Sequence, residues 1–217
     1  MKKLLMVSML CAAMAQGEGI KGIGKSVDVM QFDIRGIKLG MRQEEALKII
    51  NEEFPNGEIE ETDSEEMMTG LYGKEFTQMV SVKEKNNNND QFVAIFAPNV
   101  LKNKPQELIV GSVGLRLPNN ETNLKKLQKS AVAKFGEPVE VNSRGDYYWC
   151  DLTDKKECDE ANSSLSLNQE EEYIVFGLLY RELEKATFAA ARKAEQENKK
   201  AEDSSILNRQ EEEKIKL

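Results

Sequence analysis

The stretch Glu121-Thr122-Asn123-Leu124-Lys125-Lys126-Leu127-Gln128-Lys129-Ser130-Ala131-Val132-Ala133-Lys134-Phe135-Gly136-Glu137-Pro138 reads as an amphipathic helix together with its stop. Leu124, Leu127, Ala131 and Phe135 recur at three- and four-residue steps, so they share one face of a 3.6-residue helix. Asn119, Asn120 or Thr122 can cap its start, because a short polar side chain accepts from the first unpaired amides. Gly136 supplies the positive-φ stop and Pro138 forbids continuation. Strand patterns follow at 139–141, 146–151, 163–168 and 172–180, with Gly145 at the turn between the first two.

The same order is visible earlier in the chain. A strand is expected over 27–34, and Gly36-Ile37-Lys38-Leu39-Gly40-Met41 then leads into a helix with Ala46, Leu47, Ile50 and Phe54 on one face. Pro55-Asn56-Gly57 ends that helix, and the acidic segment 58–66 reads as loop. Strands are expected over 76–83, 91–97 and 107–117, the first two joined by a polar turn at 86–90. Helix then strands, twice over, predicts an α+β fold: two tandem modules, 27–118 and 119–180, each with a helix on one face of antiparallel sheet. The remainder, 181–217, is a C-terminal charged helix or tail. Leu183, Ala186, Phe188, Ala190 and Ala194 are expected to pack its first turns, and beyond Glu195 it is either solvated helix or frayed chain.

Residues 1–15 carry the pattern of an export signal: Lys2 and Lys3, an apolar run from Leu4 to Leu10, then Ala13-Met14-Ala15 before Gln16. The run is far shorter than the roughly 20 residues that span a bilayer. Cleavage after Ala15 is therefore expected, with lipidation of Cys11 as the alternative; Leu10 stands where a lipoprotein signal has a small residue. Cleavage leaves 16–26 as a flexible glycine-rich N-terminus in a periplasmic or secreted protein. Removing Lys2 and Lys3 takes 30 basic residues to 28 against 38 acidic, a net charge of −10. Such a chain, with no basic stripe, releases no counterions from a phosphate backbone, so nucleic-acid binding is not expected. Hydrophobic residues make up 40% of the chain, enough to build a core, and no segment is long enough for a membrane span.

The two cysteines beyond the signal, Cys150 and Cys158, form an even pair across a short polar loop. In an oxidising compartment their expected state is a structural disulfide, since C-x7-C lacks the C-x-x-C spacing that activates a thiol. With no histidine in the chain, neither a zinc site nor a catalytic triad is expected, and no cofactor is implied. Gly19-Ile20-Lys21-Gly22-Ile23-Gly24-Lys25-Ser26 fits the phosphate-loop pattern letter for letter. That pattern works only between a strand and a helix N-terminus, and here a signal precedes it and an alternating strand pattern follows. It is read as coincidence. Asp151, Asp154, Glu157, Asp159 and Glu160 gather around the disulfide loop, but their spacing matches no calcium loop and Lys155 and Lys156 lie among them. No catalytic residue and no metal site is assigned.

Tyr147, Tyr148 and Trp149 run into Cys150. In a strand Tyr148 faces opposite to Tyr147 and Trp149, and one of the two faces is expected to pack against both the disulfide and the second helix. These three aromatics, with Asp151 and Asp154 of the loop, form the candidate binding surface, because aromatics bury much area at little entropic loss.

Phe32-Asp33-Ile34-Arg35-Gly36-Ile37-Lys38-Leu39-Gly40-Met41-Arg42-Gln43-Glu44-Glu45-Ala46 resembles the I-x-L-G-M-[ST]-x-x-E-[AV] opening of BamE-like domains, relatives of β-lactamase inhibitor protein, with Arg42 where the pattern has Ser or Thr. Phe135-Gly136-Glu137-Pro138 is similar to the L-G-x-P helix exit of that family. The resemblance implies a helical pair followed by a three-stranded antiparallel sheet, and a role in protein–protein contacts of the bacterial envelope without catalysis. The expected function is thus an exported, non-enzymatic interaction module whose partner is another envelope protein. The alternative is a proteinaceous inhibitor of a secreted or periplasmic hydrolase, with the 151–157 loop entering a cleft. No motif specifies the partner or the oligomeric state.

Overall fold

The computed structural model describes residues 20–21, 24–84, 91–153, 157–158 and 160–215. The export segment 1–15, the turn 86–90 and Asp154 lie outside the described residues. In chain order the elements are β1 (Ile20–Lys21), α1 (Gln43–Glu53), β2 (Glu58–Asp63), α2 (Glu66–Tyr72), β3 (Thr77–Lys83), β4 (Gln91–Asn99), β5 (Lys104–Pro118), α3 (Glu121–Phe135), β6 (Glu140–Val141), β7 (Tyr147–Cys150), β8 (Ser164–Gln169), β9 (Tyr173–Leu179) and α4 (Arg181–Ile215).

All described strands join one antiparallel sheet of nine, ordered β1-β6-β7-β8-β9-β5-β4-β3-β2. The meanders β2 to β5 and β6 to β9 run outward from a common centre, where their last strands β5 and β9 pair. One helix precedes each meander, α1 before β2 and α3 before β6, and α4 follows the last strand. The fold is α+β.

Register explains the core. Val80, Ala94, Val113, Leu178, Leu165 and Trp149 stand opposite one another across β3, β4, β5, β9, β8 and β7. Val82, Phe92, Leu115, Phe176, Leu167 and Tyr147 form the next row on the same face. Onto these rows α1 lays Ala46, Ile50 and Phe54, and α3 lays Leu124, Leu127, Ala131 and Phe135. The Phe135 ring meets Phe32 at 4.6 Å, Phe176 at 6.0 Å and Trp149 at 6.4 Å between centroids. Asn120 caps α3 by accepting from the Asn123 amide at 2.9 Å, and Gly136 ends it at φ 83°. α1 has no side-chain cap; Arg42 instead pairs with Glu45 one turn on.

Four local expectations are corrected. Segment 27–34 is not a strand: the Asp28 carboxylate accepts from the Met30 amide at 3.0 Å and starts a short 3-10 turn at Val29–Gln31. A side chain that bonds its own backbone two residues on competes with the sheet ladder. Segment 58–66 is not loop but largely β2, an edge strand exposed along its whole length. An edge needs no apolar face, and its charges guard it against further pairing; Lys83 Nζ meets Glu60 at 2.9 Å and Thr77 donates to Glu61 at 3.0 Å. The residue pattern alone gives no sign of α2, which is short and stops at Gly73, φ 87°. In α4, Leu183, Thr187 and Ala191 are buried at four-residue steps, which turns Phe188 outward to 40% exposure.

The glycine-rich start also has structure. Ile20 and Lys21 pair with Val141 and Glu140, and Gly24 donates to Pro138 O at 3.1 Å. A Cβ on Gly24 would lie 2.1 Å from Glu137 O, so only glycine fits that approach. After Ser26 comes extended chain and the 3-10 turn, with no helix N-terminus to receive a phosphate.

Candidate binding face

The sheet's second face is built from the alternate residues. Glu60, Ser81, Val93, Gly114, Gly177, Ser166, Tyr148 and Glu140 face one another across eight strands. At the middle of this row two glycines stand opposite each other on the central strands. A Cβ on Gly114 would meet Phe176 O at 3.1 Å and one on Gly177 would meet Val113 O at 3.3 Å, so β5 and β9 approach too closely for larger residues to fit freely. The outcome is a trough of about 460 Å³ lined by Met79, Val93, Gly114, Arg116, Ser166 and Gly177, among others.

Two structures bound the trough. On one side α4 crosses the sheet: α2 and α4 close a small second core of Met68, Tyr72, Phe76, Leu108 and Ala191. On the other, the disulfide Cys150–Cys158 forms, with Cα atoms 5.5 Å apart, inside a cluster with Val139 and Ala161. Tyr148 packs against that cluster, where burial holds its hydroxyl above the ordinary value of 10.0 and the Asp146 charge adds to the effect. The Arg116 guanidinium lies 4.7 Å over the Tyr173 ring and 3.6 Å from Glu170, which fixes a cation beside the trough.

The aromatic run thus divides by face. Trp149 is fully buried on the helix side and its Nε1 donates to Gly136 O at 2.9 Å, so it is core and not binding surface. Tyr147 lies beside it, ring centroids 6.0 Å apart. Disulfide and second helix do not share a face as expected: Trp149 meets α3, whereas Cys150 packs with Tyr148. The parity of position 150 carried that signal. Asp151 is exposed, but its Oδ1 accepts from Ser26 Oγ at 2.7 Å, from the Thr153 amide at 2.9 Å and from Thr153 Oγ1 at 2.5 Å. Those bonds, the Thr153 hydroxyl foremost and then Ser26, hold its carboxyl below the usual 3.8. It organises its own loop.

No family model, curated protein or solved structure matches the chain.

This face presents small residues, flanking tyrosines and one stacked arginine. Among the described residues no three His, Cys, Asp or Glu side chains gather so as to hold a metal ion. Nor, among them, is any helix long and apolar enough to cross a membrane. The trough residues were not identified from sequence, because Gly114 and Gly177 become neighbours only through the β5–β9 register.

Proposed function

We propose that this chain is an exported, non-catalytic protein-interaction module of a bacterial envelope, and that its partner docks along the trough between α4 and the disulfide cluster. The observation that carries the reading is the bare Gly114–Gly177 centre of the sheet, open beside Arg116 and Tyr173. Arginine and tyrosine are residues that interfaces favour, and a smooth apolar floor lets a partner's side chains reach the backbone. The formed Cys150–Cys158 bridge supports an oxidising compartment. The BamE-like resemblance belongs to this proposal; its support is that the Leu39-Gly40-Met41 element runs into α1 and that α2 is followed by the consecutive strands β3, β4 and β5.

The test is affinity capture from envelope extract with the wild type, with Val93→Arg in the trough and with Lys129→Glu on the exposed side of α3. The reading expects one partner recovered by the wild type and the α3 variant and lost with Val93→Arg. Equal recovery by all three contradicts it. A captured hydrolase whose activity falls on binding would assign the inhibitor role to the same face.

A further inference from the structure

On the helix side of the sheet, Trp149, Leu165 and Leu178 stand abreast as a fully buried row of β7, β8 and β9. Two residues further out on the same face come Asp151, Ser163 and Tyr180. The sheet still holds its geometry there, because the Tyr180 amide donates to Gly111 O at 2.8 Å. With Asp28, which starts the 3-10 turn, and Glu182 of α4, these three side chains line a cleft of about 260 Å³. We propose that this cleft is a binding site for a short aliphatic diamine, held through its primary ammonium groups.

Two hydroxyls face the cleft and lack partners. Ser163 and Tyr180 lie one residue outside β8 and β9, next to the paired Ser164 and Leu179, so they are neighbours on the side that carries Leu165 and Leu178. Ser163 is only 9% exposed. Among the described residues neither its hydroxyl nor that of Tyr180 has a hydrogen-bond partner, and neither is sealed from the cleft. A hydroxyl so far removed from bulk water is unfavourable when unpaired, and a ligand N–H would satisfy it. Burial and then the Glu182 charge hold the Tyr180 hydroxyl above the ordinary value of 10.0, which places that carboxylate beside it.

Charge decides what kind of donor fits. The charged side chains on the lining are Asp28, Asp151 and Glu182, all of them carboxylates. Asp151 uses Oδ1 for Ser26 and Thr153, which leaves Oδ2 to accept. Carboxylates only accept hydrogen bonds, so the cleft repels anions and favours a cation that donates. Among the described residues no three such groups gather to hold a metal ion, so the negative charge is spread along the cleft. That spread suits an amine with a nitrogen at each end. Benzene occupies a cavity of about 150 Å³, so this volume admits a chain of about four carbons with its two ammonium groups.

The experiment titrates the full mature chain at low salt with 1,4-diaminobutane, following backbone amide shifts by NMR. Saturable shifts are expected at Thr153, Asn162, Ser163, Tyr180 and Glu182. Its neutral counterpart 1,4-butanediol should bind at least about tenfold more weakly. The dication with both nitrogens fully methylated keeps the charge, has no N–H to donate, and should also bind more weakly. Ser163→Ala and Tyr180→Phe should each weaken the diamine about fivefold, the size of one net hydrogen bond. Glu182→Gln, an exposed change that leaves the fold intact, should weaken it at least about fivefold. Glu202→Gln removes the same charge from the exposed distal part of α4 and should change nothing. No saturable shift at those amides, or equal loss in Glu202→Gln and Glu182→Gln, would overturn the site. Equal affinity for the diol or the methylated dication, or full affinity in both hydroxyl variants, would overturn recognition of a primary ammonium.

Discussion

Replacing Trp149 by Phe removes the chain's single tryptophan from a fully buried position. Two losses combine. The bond from Nε1 to the Gly136 carbonyl at 2.9 Å is lost, and since Gly136 is exposed its carbonyl can turn to water, at a cost of about 0.5–1.5 kcal/mol. The smaller ring gives up buried surface and leaves a void between Phe135 and Tyr147, for roughly another 1–2 kcal/mol. The sum is about 1.5–3.5 kcal/mol, a large share of a domain's stability. Urea unfolding followed by far-ultraviolet circular dichroism reads both proteins on one scale. With an m-value of about 2–3 kcal/mol/M the midpoint should fall by about 0.5–1.5 M. In the wild type, Trp149 fluorescence should change in the same transition, since the ring sits where α3 meets the sheet. A midpoint shift below about 0.3 M would refute the placement of this side chain as the seal between helix and sheet.

Other perturbations address other parts of the molecule. Asp146 is buried, accepting from the Gln169 amide and from Asn142 Nδ2, both at 2.8 Å. Asp146→Ala leaves these donors unpaired and should lower stability by about 2–3 kcal/mol in chemical denaturation. Changing both Cys150 and Cys158 to Ser releases a short loop and should lower stability by about 2–3 kcal/mol by calorimetry under non-reducing conditions, while a reductant should have little further effect on the variant. For Asp33, burial raises the carboxyl pKa but is outweighed by the Lys134 ammonium and the Gly36 amide, for a net value below 3.8. Its stabilisation is therefore present above pH 3.8 and lost as pH falls through the folded-state value. The difference between wild type and Asp33→Asn should be measurable at pH 6 and should shrink steadily below pH 3.8 in urea melts.

What the sequence disclosed follows from how much of each signal is local. α3 was legible from end to end because cap, stripe, glycine and proline all lie within it, and β3, β4, β5, β8 and β9 because their alternation survives without knowledge of their neighbours. β2 was not, since an acidic edge strand owes its conformation to the β3 ladder and not to its own residues. α2 is too brief to show a period. In α4 the threonine at 187 broke an otherwise apolar stripe and drew attention to Phe188, yet Thr187 is the buried residue. The binding face was the least legible part: a glycine pair gains meaning only when register sets it opposite, and the aromatic run proved to be half core.

The most direct test of the docking face is thiol labelling of Ser166→Cys, a position on the trough floor, against Ser143→Cys in the exposed β6–β7 turn. Both cysteines should react readily with a maleimide in the isolated mature protein. In the presence of envelope extract that supplies the partner, labelling at 166 should slow about tenfold or more while labelling at 143 is unchanged. A thiol at 166 that is unreactive in the isolated protein, or that reacts equally fast with the partner bound, would contradict the account.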